Sequence, residues 1–271
     1  MTQKIRPLFI ALALSLLFVQ CTNDKDSTPG IPTNIDSYFK AGTYAHDDDT
    51  TLKYQESTIP GTTSDKLPLV VVLHGQYSAG SDNTTQLRHD AMIRIWYHFS
   101  SKQIGAVLIA PQCSSRRAWD EKADDVEGSA TMSAVVKGFI DYYVATHSSV
   151  DTSRIYILGY ADNALPAGAG GVWRLLSDYS NTFAGGMAVL AEPDETIVPE
   201  NVAKTPSLLV KGEEVFGEDA IMPLTDSFGD LVRDAGGVFK EIILHVRSRE
   251  EICREAFSAE NLDWVLQYSK K

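Results

Sequence analysis

The fold is decided by one stretch near the middle of the chain, Arg154-Ile-Tyr-Ile-Leu-Gly-Tyr-Ala-Asp-Asn-Ala-Leu-Pro-Ala-Gly-Ala-Gly-Gly-Val-Trp173. It begins with an apolar run that ends at Gly159, which indicates a buried strand. Small residues follow, and a helix is predicted from about Gly171 to Tyr179. A strand, a turn of small residues and a helix in this order are typical of a sheet whose strands run parallel.

Further apolar runs support the same architecture. Leu67-Pro-Leu-Val-Val-Val-Leu-His-Gly75 is apolar without alternation, as expected of a central parallel strand buried on both faces. Helical spacing of apolar residues from Ser129 to His147 predicts an amphipathic helix facing the sheet. The remaining predicted strands are 41–58 (two strands joined at Asp47–Thr50), 104–111, 184–191, 207–211 and 238–246, and the remaining helices are 223–235 and 259–268. The alternation predicts a doubly wound α/β fold, with a mostly parallel sheet and helices on both faces.

The N-terminus has the pattern of an export signal. Lys4 and Arg6 precede an apolar run from Pro7 to Val19 that is too short to span a bilayer. Cys21 follows directly, and the pattern resembles a bacterial lipoprotein signal in which this cysteine is lipidated; the acidic residues after it resemble the surface-export tag of Bacteroidetes lipoproteins. A plain cleaved signal peptide is the alternative.

The predicted organisation is a signal peptide over 1–20, a flexible tether over 21–38 rich in Asn, Asp, Ser, Thr, Pro and Gly, and one domain over 39–271. Removal of Lys4 and Arg6 moves the net charge from −12 to −14, which argues against binding to nucleic acid or anionic lipid through bulk charge. We expect a monomer, held at the outer membrane only by its lipid. Cys113 and Cys253 are the remaining cysteines, and the sequence leaves open whether they pair.

A series of motifs resembles the secreted α/β-hydrolases related to polyhydroxybutyrate depolymerases and to feruloyl and acetylxylan esterases. The similarity covers roughly residues 40–268. Its members are Leu67–Gly75, Ser81-Asp-Asn83, Ile109-Ala-Pro-Gln-Cys113, Trp119, Asp151-Thr-Ser-Arg-Ile-Tyr156, Trp173-Arg-Leu175, Phe183-Ala184, Glu255-Ala-Phe257 and Leu262-Asp-Trp-Val-Leu266. The resemblance implies an α/β-hydrolase fold and no cofactor.

The resemblance also implies a catalytic serine, histidine and acid, with backbone N–H groups that stabilise an oxyanion. His74-Gly75-Gln76 matches the oxyanion loop of these enzymes. The nucleophile is not retained, because alignment from Gly159 places Ala161 at the serine position and alignment back from Trp173 places Pro166 there. No serine, threonine or cysteine occurs between Arg154 and Leu176.

The other two catalytic positions are also altered. The turn that carries the acid in this family reads Lys211-Gly-Glu-Glu-Val-Phe216 here, so Glu213 or Glu214 is the candidate acid. The histidine position falls in Ser248-Arg-Glu-Glu-Ile-Cys253, where Glu250 or Glu251 stands instead. His245, at the end of the eighth predicted strand, is the nearest histidine and a candidate relocated base.

These changes favour an esterase-like protein that has lost ester hydrolysis and binds a glycan, peptide or protein partner in the former cleft. The alternative is an active ester or peptide hydrolase with relocated residues, using Asp162 as nucleophile or His245 as base. Trp119 either lines the cleft or packs in the core, and Arg116-Arg117 is either a ligand contact or a solvated pair. None of the six histidines forms a His-x-x-x-His pair, so no metal is predicted, although His89-Asp90 could line the cleft.

Overall fold

The computed structural model describes residues 30–47, 49–62, 66–162, 167–212, 227–245 and 248–270. The chain divides into two units, Met1–Gly30 and Ile31–Lys271. The second unit begins eight residues before the predicted domain start at 39, because Ile35 is fully buried and joins the core. The predicted signal peptide, Cys21 and residues 22–29 of the predicted tether lie outside the described residues.

The second unit alternates strands and helices as predicted. The strands are β1 (Lys40–Ala45), β2 (Thr51–Ile59), β3 (Leu67–Leu73), β4 (Ala106–Gln112), β5 (Val150–Tyr160), β6 (Gly185–Val189), β7 (Ser207–Gly212) and β8 (Phe239–Leu244). The helices are α1 (Asp90–Lys102), α2 (Met132–Thr146), α3 (Ala167–Asp178), α4 (Pro199–Val202), α5 (Ser227–Asp234), α6 (Arg249–Ala256) and α7 (Ala259–Leu266).

The eight strands form one sheet in the order β1-β2-β4-β3-β5-β6-β7-β8. The β1–β2 and β2–β4 pairs are antiparallel, and the other pairs are parallel. Helix α1 contacts α6 and α7, and α2 through α5 form a second connected set, so the sheet is covered on both faces. This double cover explains the unbroken apolar runs of β3 and β4, and it confirms the predicted fold class.

The sheet has a topological switch point at β3 and β5. From β3 the chain crosses to β4 on one side, and from β5 it crosses to β6 on the other. Loops that leave adjacent strand ends in opposite directions open a crevice at the carboxyl edge, which is where doubly wound folds bind ligands. Such a crevice is therefore expected between the loop after Leu73 and the residues that follow Tyr160.

Helix α3 differs from its predicted start, and α1, α4 and α6 have no counterpart among the predicted helix ranges. Helix α3 begins at Ala167 rather than near Gly171, because its glycine-rich first turn packs closely on the sheet instead of forming a loop. Helix α6 was not predicted, although Ser248-Arg-Glu-Glu251 carries a capping signal: the Ser248 hydroxyl accepts a hydrogen bond from Glu251 N–H at 3.1 Å. The described residues contain no helix long and apolar enough to cross a membrane.

Candidate functional site

The candidate site is built where β3 and β5 end side by side. Leu73 is the register partner of Gly159, so the loop after β3 and the residues after β5 start at the same height. We call His74–Tyr77 the oxyanion loop and Gly159–Asp162 the elbow. Both belong to the crevice at the switch point.

His74 is held on both ring nitrogens by backbone groups. Its Nδ1–H donates to Gly75 O at 2.7 Å, and its Nε2 accepts from Cys113 N–H at 2.9 Å. Burial lowers the pKa of His74 to about 4, so the ring is neutral at pH 7. His74 therefore ties the end of β3 to the end of β4 and has no nitrogen left to act as a general base.

The carboxylate of Asp162 lies on the oxyanion loop. Its Oδ1 and Oδ2 accept from Tyr77 N–H at 3.3 and 3.2 Å. It also lies against Gly75, where an added Cβ would come within 2.2 Å of Asp162 Cγ. Glycine at position 75 thus allows a close approach to the backbone, and the group that makes this approach is a side chain of the protein.

The elbow carries no serine, threonine or cysteine. Ala161 is fully buried, and its N–H donates to Val189 O at 2.9 Å, so it continues the sheet pairing of β5 with β6. Neither Ala161 nor Asp162 has a positive φ, whereas Ala167 at the start of α3 does, with φ 31°. The strained turn that exposes a nucleophile in hydrolases is therefore not present at Ala161 or Asp162. Asn163–Pro166, including the alternative nucleophile position Pro166, lie outside the described residues.

Tyr160 fills the space beside the elbow. Its ring is fully buried, stacks on His89 at 4.2 Å between centroids, and meets Phe257 edge-on at 6.3 Å. Burial, and then the nearby Asp162 charge, raise the pKa of the Tyr160 hydroxyl. His89 Nδ1 accepts from Ala91 N–H at 3.1 Å as the N-cap of α1, and burial lowers the pKa of His89 to about 4. Both rings act as neutral packing groups.

The start of α3 closes the crevice from below. A Cβ at Gly159 would lie 2.3 Å from Gly168 O, and a Cβ at Gly168 would lie 2.2 Å from Leu73 O. Three backbone segments therefore approach one another more closely than any side chain would permit. Gly159 and Gly168 allow this close packing, a role that the sequence pattern did not predict.

Trp119 is a packing residue in the structure. It is 2% exposed, and its Nε1–H donates to His74 O at 3.1 Å. It borders a cavity of about 10 Å³, which has room for about one water molecule. The other lining residues are His74, Gly75, Gln76, Ala79, Cys113, Arg117, Ala118 and Ala167. This cavity is too small to hold a substrate.

The loop around Trp119 is fixed by a buried acid. Glu121 receives Arg117 Nε at 2.6 Å and Nη2 at 2.7 Å, and it also accepts from Met132 N–H at 3.0 Å at the start of α2. Arg117 is therefore neutralised within the loop, while Arg116 is exposed. Cys113 and Cys253, both described and both buried, are not bonded to each other.

The predicted acid and base positions are not brought to the elbow by any described contact. Glu213 and Glu214 lie outside the described residues, as does the side chain of Glu250, whose backbone is in the first turn of α6. His245 directly follows β8 and is exposed. Because β8 is three strands from β5, His245 starts about 14 Å from the elbow.

A buried charged group that the sequence did not reveal lies at the end of β7. Lys211 is 2% exposed and forms ion pairs with Glu192, at 2.8 Å, and with Glu241. Burial by itself lowers the pKa of Lys211, but hydrogen bonds to the two carboxylates outweigh this and raise it. The sequence did not indicate that Lys211 is buried and ion-paired, because this residue directly follows an apolar strand run. Among the described residues, no cluster of His, Cys, Asp and Glu has the arrangement of a metal site.

Comparison with known proteins found similarity in structure but not in sequence. No protein-family profile and no curated protein matches the chain. A thermostable esterase superposes with a TM-score of 0.68 at 22% identity, over 87% of this chain and 64% of its own length. A ferulic acid esterase gives 0.59 at 14%, over 84% and 98%, and an acylaminoacyl peptidase from Pyrococcus horikoshii gives 0.57 at 14%, over 86% and 43%. At these identities the likeness establishes the fold alone: the chain has an α/β-hydrolase fold, shared with esterases and acyl peptidases.

Proposed function

We propose that this chain is a non-hydrolytic protein with an α/β-hydrolase fold, which binds a glycan, peptide or protein partner at the former substrate cleft. The observation that carries the proposal is the position of the Asp162 carboxylate on Tyr77 N–H. Acyl transfer requires loop amides that are open to a developing oxyanion. A fixed carboxylate occupies such an amide here, and its negative charge repels any second anion.

The surrounding residues support the same proposal. Ala161 supplies no nucleophilic atom, and both nitrogens of His74 are engaged by backbone groups. His89 is a neutral helix cap. An attacking serine introduced at position 161 would have no base within reach among these histidines.

The ligand-binding part of the proposal rests on the rim of the crevice. Tyr77 is 73% exposed although its backbone N–H is fixed by Asp162. A solvent-facing aromatic ring on a fixed backbone is a suitable platform for stacking on a sugar ring or a peptide side chain. Tyr77, rather than the buried Trp119, is the aromatic residue that we propose for ligand contact.

We further propose that Cys21 carries the lipid that anchors the protein to the bacterial outer membrane, on its surface or its periplasmic side. The short apolar run before Cys21 supports this proposal. Mass spectrometry of the N-terminal peptide of the membrane-extracted protein tests it: an unmodified Cys21, or a chain cleaved elsewhere, would contradict it.

Purified protein lacking residues 1–20 tests the loss of hydrolysis. We expect no labelling by a serine-directed fluorophosphonate and no turnover of p-nitrophenyl acetate or butyrate above the buffer rate. The Ala161→Ser variant should behave in the same way, because it restores a hydroxyl but no base. Robust turnover by the wild-type protein would overturn the proposal.

If the wild-type protein does hydrolyse an ester, two further measurements test whether Asp162 is the nucleophile. With Asp162 as nucleophile, Asp162→Asn should abolish activity, and a single turnover in heavy-oxygen water should leave the label in the Asp162 side chain. Activity that survives Asp162→Asn would exclude Asp162 and direct attention to His245.

A further inference from the structure

A second concave site lies at the amino ends of the parallel strands, whereas the candidate site lies at their carboxyl ends. It is a groove of about 520 Å³ at the amino ends of β6 and β7, within the size range of small-molecule sites. Its polar wall consists of Ser180, Asn181, Lys204, Ser269 and Lys270, which come from the α3–β6 connection, the α4–β7 connection and the segment after α7. The protein fold, rather than one flexible loop, therefore shapes this groove.

Two ammonium groups are held in position on this wall. Lys204 Nζ donates to Asn201 Oδ1 at 3.0 Å and to Ser180 Oγ at 3.4 Å. Lys270 Nζ donates to Thr182 O at 2.8 Å and to Asn181 O at 3.4 Å. Each ammonium has three donors, so each keeps a hydrogen for a ligand while its position is already fixed.

The charge of these two lysines is not neutralised by a neighbouring acid. Among the described residues, neither Lys204 nor Lys270 forms an ion pair, whereas Lys102, Lys137 and Lys211 each do. Burial, and then the like charge of Lys137, lower the pKa of Lys270, and Asp151 only partly offsets them. In a chain of net charge −12, this is a local concentration of fixed positive charge. Such a concentration attracts anions.

We propose that this groove binds a phosphate or sulfate monoester carried on a sugar-sized polar molecule. A tetrahedral oxyanion presents several acceptor oxygens, and lysine binds such groups as a point charge. The groove is larger than one oxyanion, and its hydroxyl and amide groups suit a polar carrier. The site is separate from the crevice at β3 and β5 and does not depend on the function proposed there.

Calorimetric titration with glucose 6-phosphate, glucose 6-sulfate and glucose tests the proposal. We expect at least one ester to bind and glucose not to bind. Lys204→Gln and Lys270→Gln should each weaken ester binding about tenfold, as expected for loss of one charge-assisted contact. Lys53→Gln is the matched control, because Lys53 also donates to a backbone oxygen, Ser81 O at 2.7 Å, but lies on β2, four strands from β6. It should leave the affinity unchanged.

The proposal would be overturned if neither ester bound or if ester binding survived both groove variants. It would also be overturned if Lys53→Gln weakened ester binding as much as the groove variants do, because that result would indicate attraction by bulk charge. Binding only to vesicles that contain an anionic phospholipid, with no soluble ester bound, would also reject the proposed carrier. Lys204 is exposed, so its variant separates loss of binding from loss of folding.

Discussion

The two strand ends that meet at the candidate site are built in opposite ways. After β3, a buried histidine and a glycine are fixed by backbone contacts, and the loop amide of Tyr77 points toward the crevice. After β5, Ala161 supplies no reactive atom, and the next side chain, Asp162, turns into the loop. The loop amide is placed to donate to a negatively charged group, and the Asp162 carboxylate of the elbow is that group.

This difference teaches which residues the fold requires. His74 is needed as a hydrogen-bond partner for the backbone, Gly168 because backbone segments approach closely, and Gly75 because the Asp162 side chain lies against it. A serine at the elbow is not needed for packing, and its absence leaves the sheet intact. Shape and chemistry are thus separable at this site, as they are in folds generally.

The largest effect should come from the backbone contact that joins the two regions. Gly168→Ala places a methyl group 2.2 Å from Leu73 O, and backbone atoms cannot yield easily. We expect a loss of about 3 kcal/mol in the free energy of unfolding, measured by urea denaturation. In Gly80→Ala, the added methyl would meet only Gln112 Nε2 at 3.4 Å, so that control should change stability by less than about 0.5 kcal/mol. Equal effects would show that α3 does not pack on β3 as described.

A second prediction compares the buried histidines on the two sides. Because the folded pKa of His74 and of His89 is lowered to about 4, the unfolded chain binds protons first as pH falls. Stability is therefore fully present above pH 6.5 or so and is lost as pH falls toward about 4, by about 2 to 3 kcal/mol per histidine at pH 4.5. Urea denaturation at pH 7 and pH 4.5 measures this loss.

His89→Asn removes the titration of the histidine that stacks on Tyr160 of the elbow. Asparagine retains the N-cap of α1 and does not titrate. The loss between pH 7 and pH 4.5 should be about 2 kcal/mol smaller than in the wild-type protein. An unchanged loss would mean that His89 is not buried against Tyr160.

The smallest effects should come from the direct contact between loop and elbow. We expect Gly75→Ala to cost about 2 kcal/mol and Asp162→Ala about 1 kcal/mol, the first by a clash and the second by leaving Tyr77 N–H without its acceptor. Because Asp162→Ala removes the clashing group, the double variant should be at least about 1 kcal/mol more stable than the sum predicts. Additivity within about 0.5 kcal/mol would contradict the contact.

Most of the architecture was predictable because burial on two faces leaves a period-free apolar run in the central parallel strands. The predicted strands at 67–75, 104–111 and 207–211 correspond to β3, β4 and β7. The predictions were wrong where the role of a glycine or of a capping residue depended on its tertiary contacts. The glycines before Gly171 form the first turn of α3, and Ser248 starts a helix where a catalytic loop was expected.

The sequence by itself determined the fold class, the candidate oxyanion loop and the absence of a serine at the elbow, because these depend on residue type and local order. Only the tertiary structure showed that Asp162 reaches Tyr77, that Trp119 and Tyr160 are buried, and that Lys204 and Lys270 meet at one groove. The physical reason is that these contacts join residues far apart in the chain, such as Tyr77 and Asp162. Their distances are set by strand register and by the close approach of glycines, which no local pattern records.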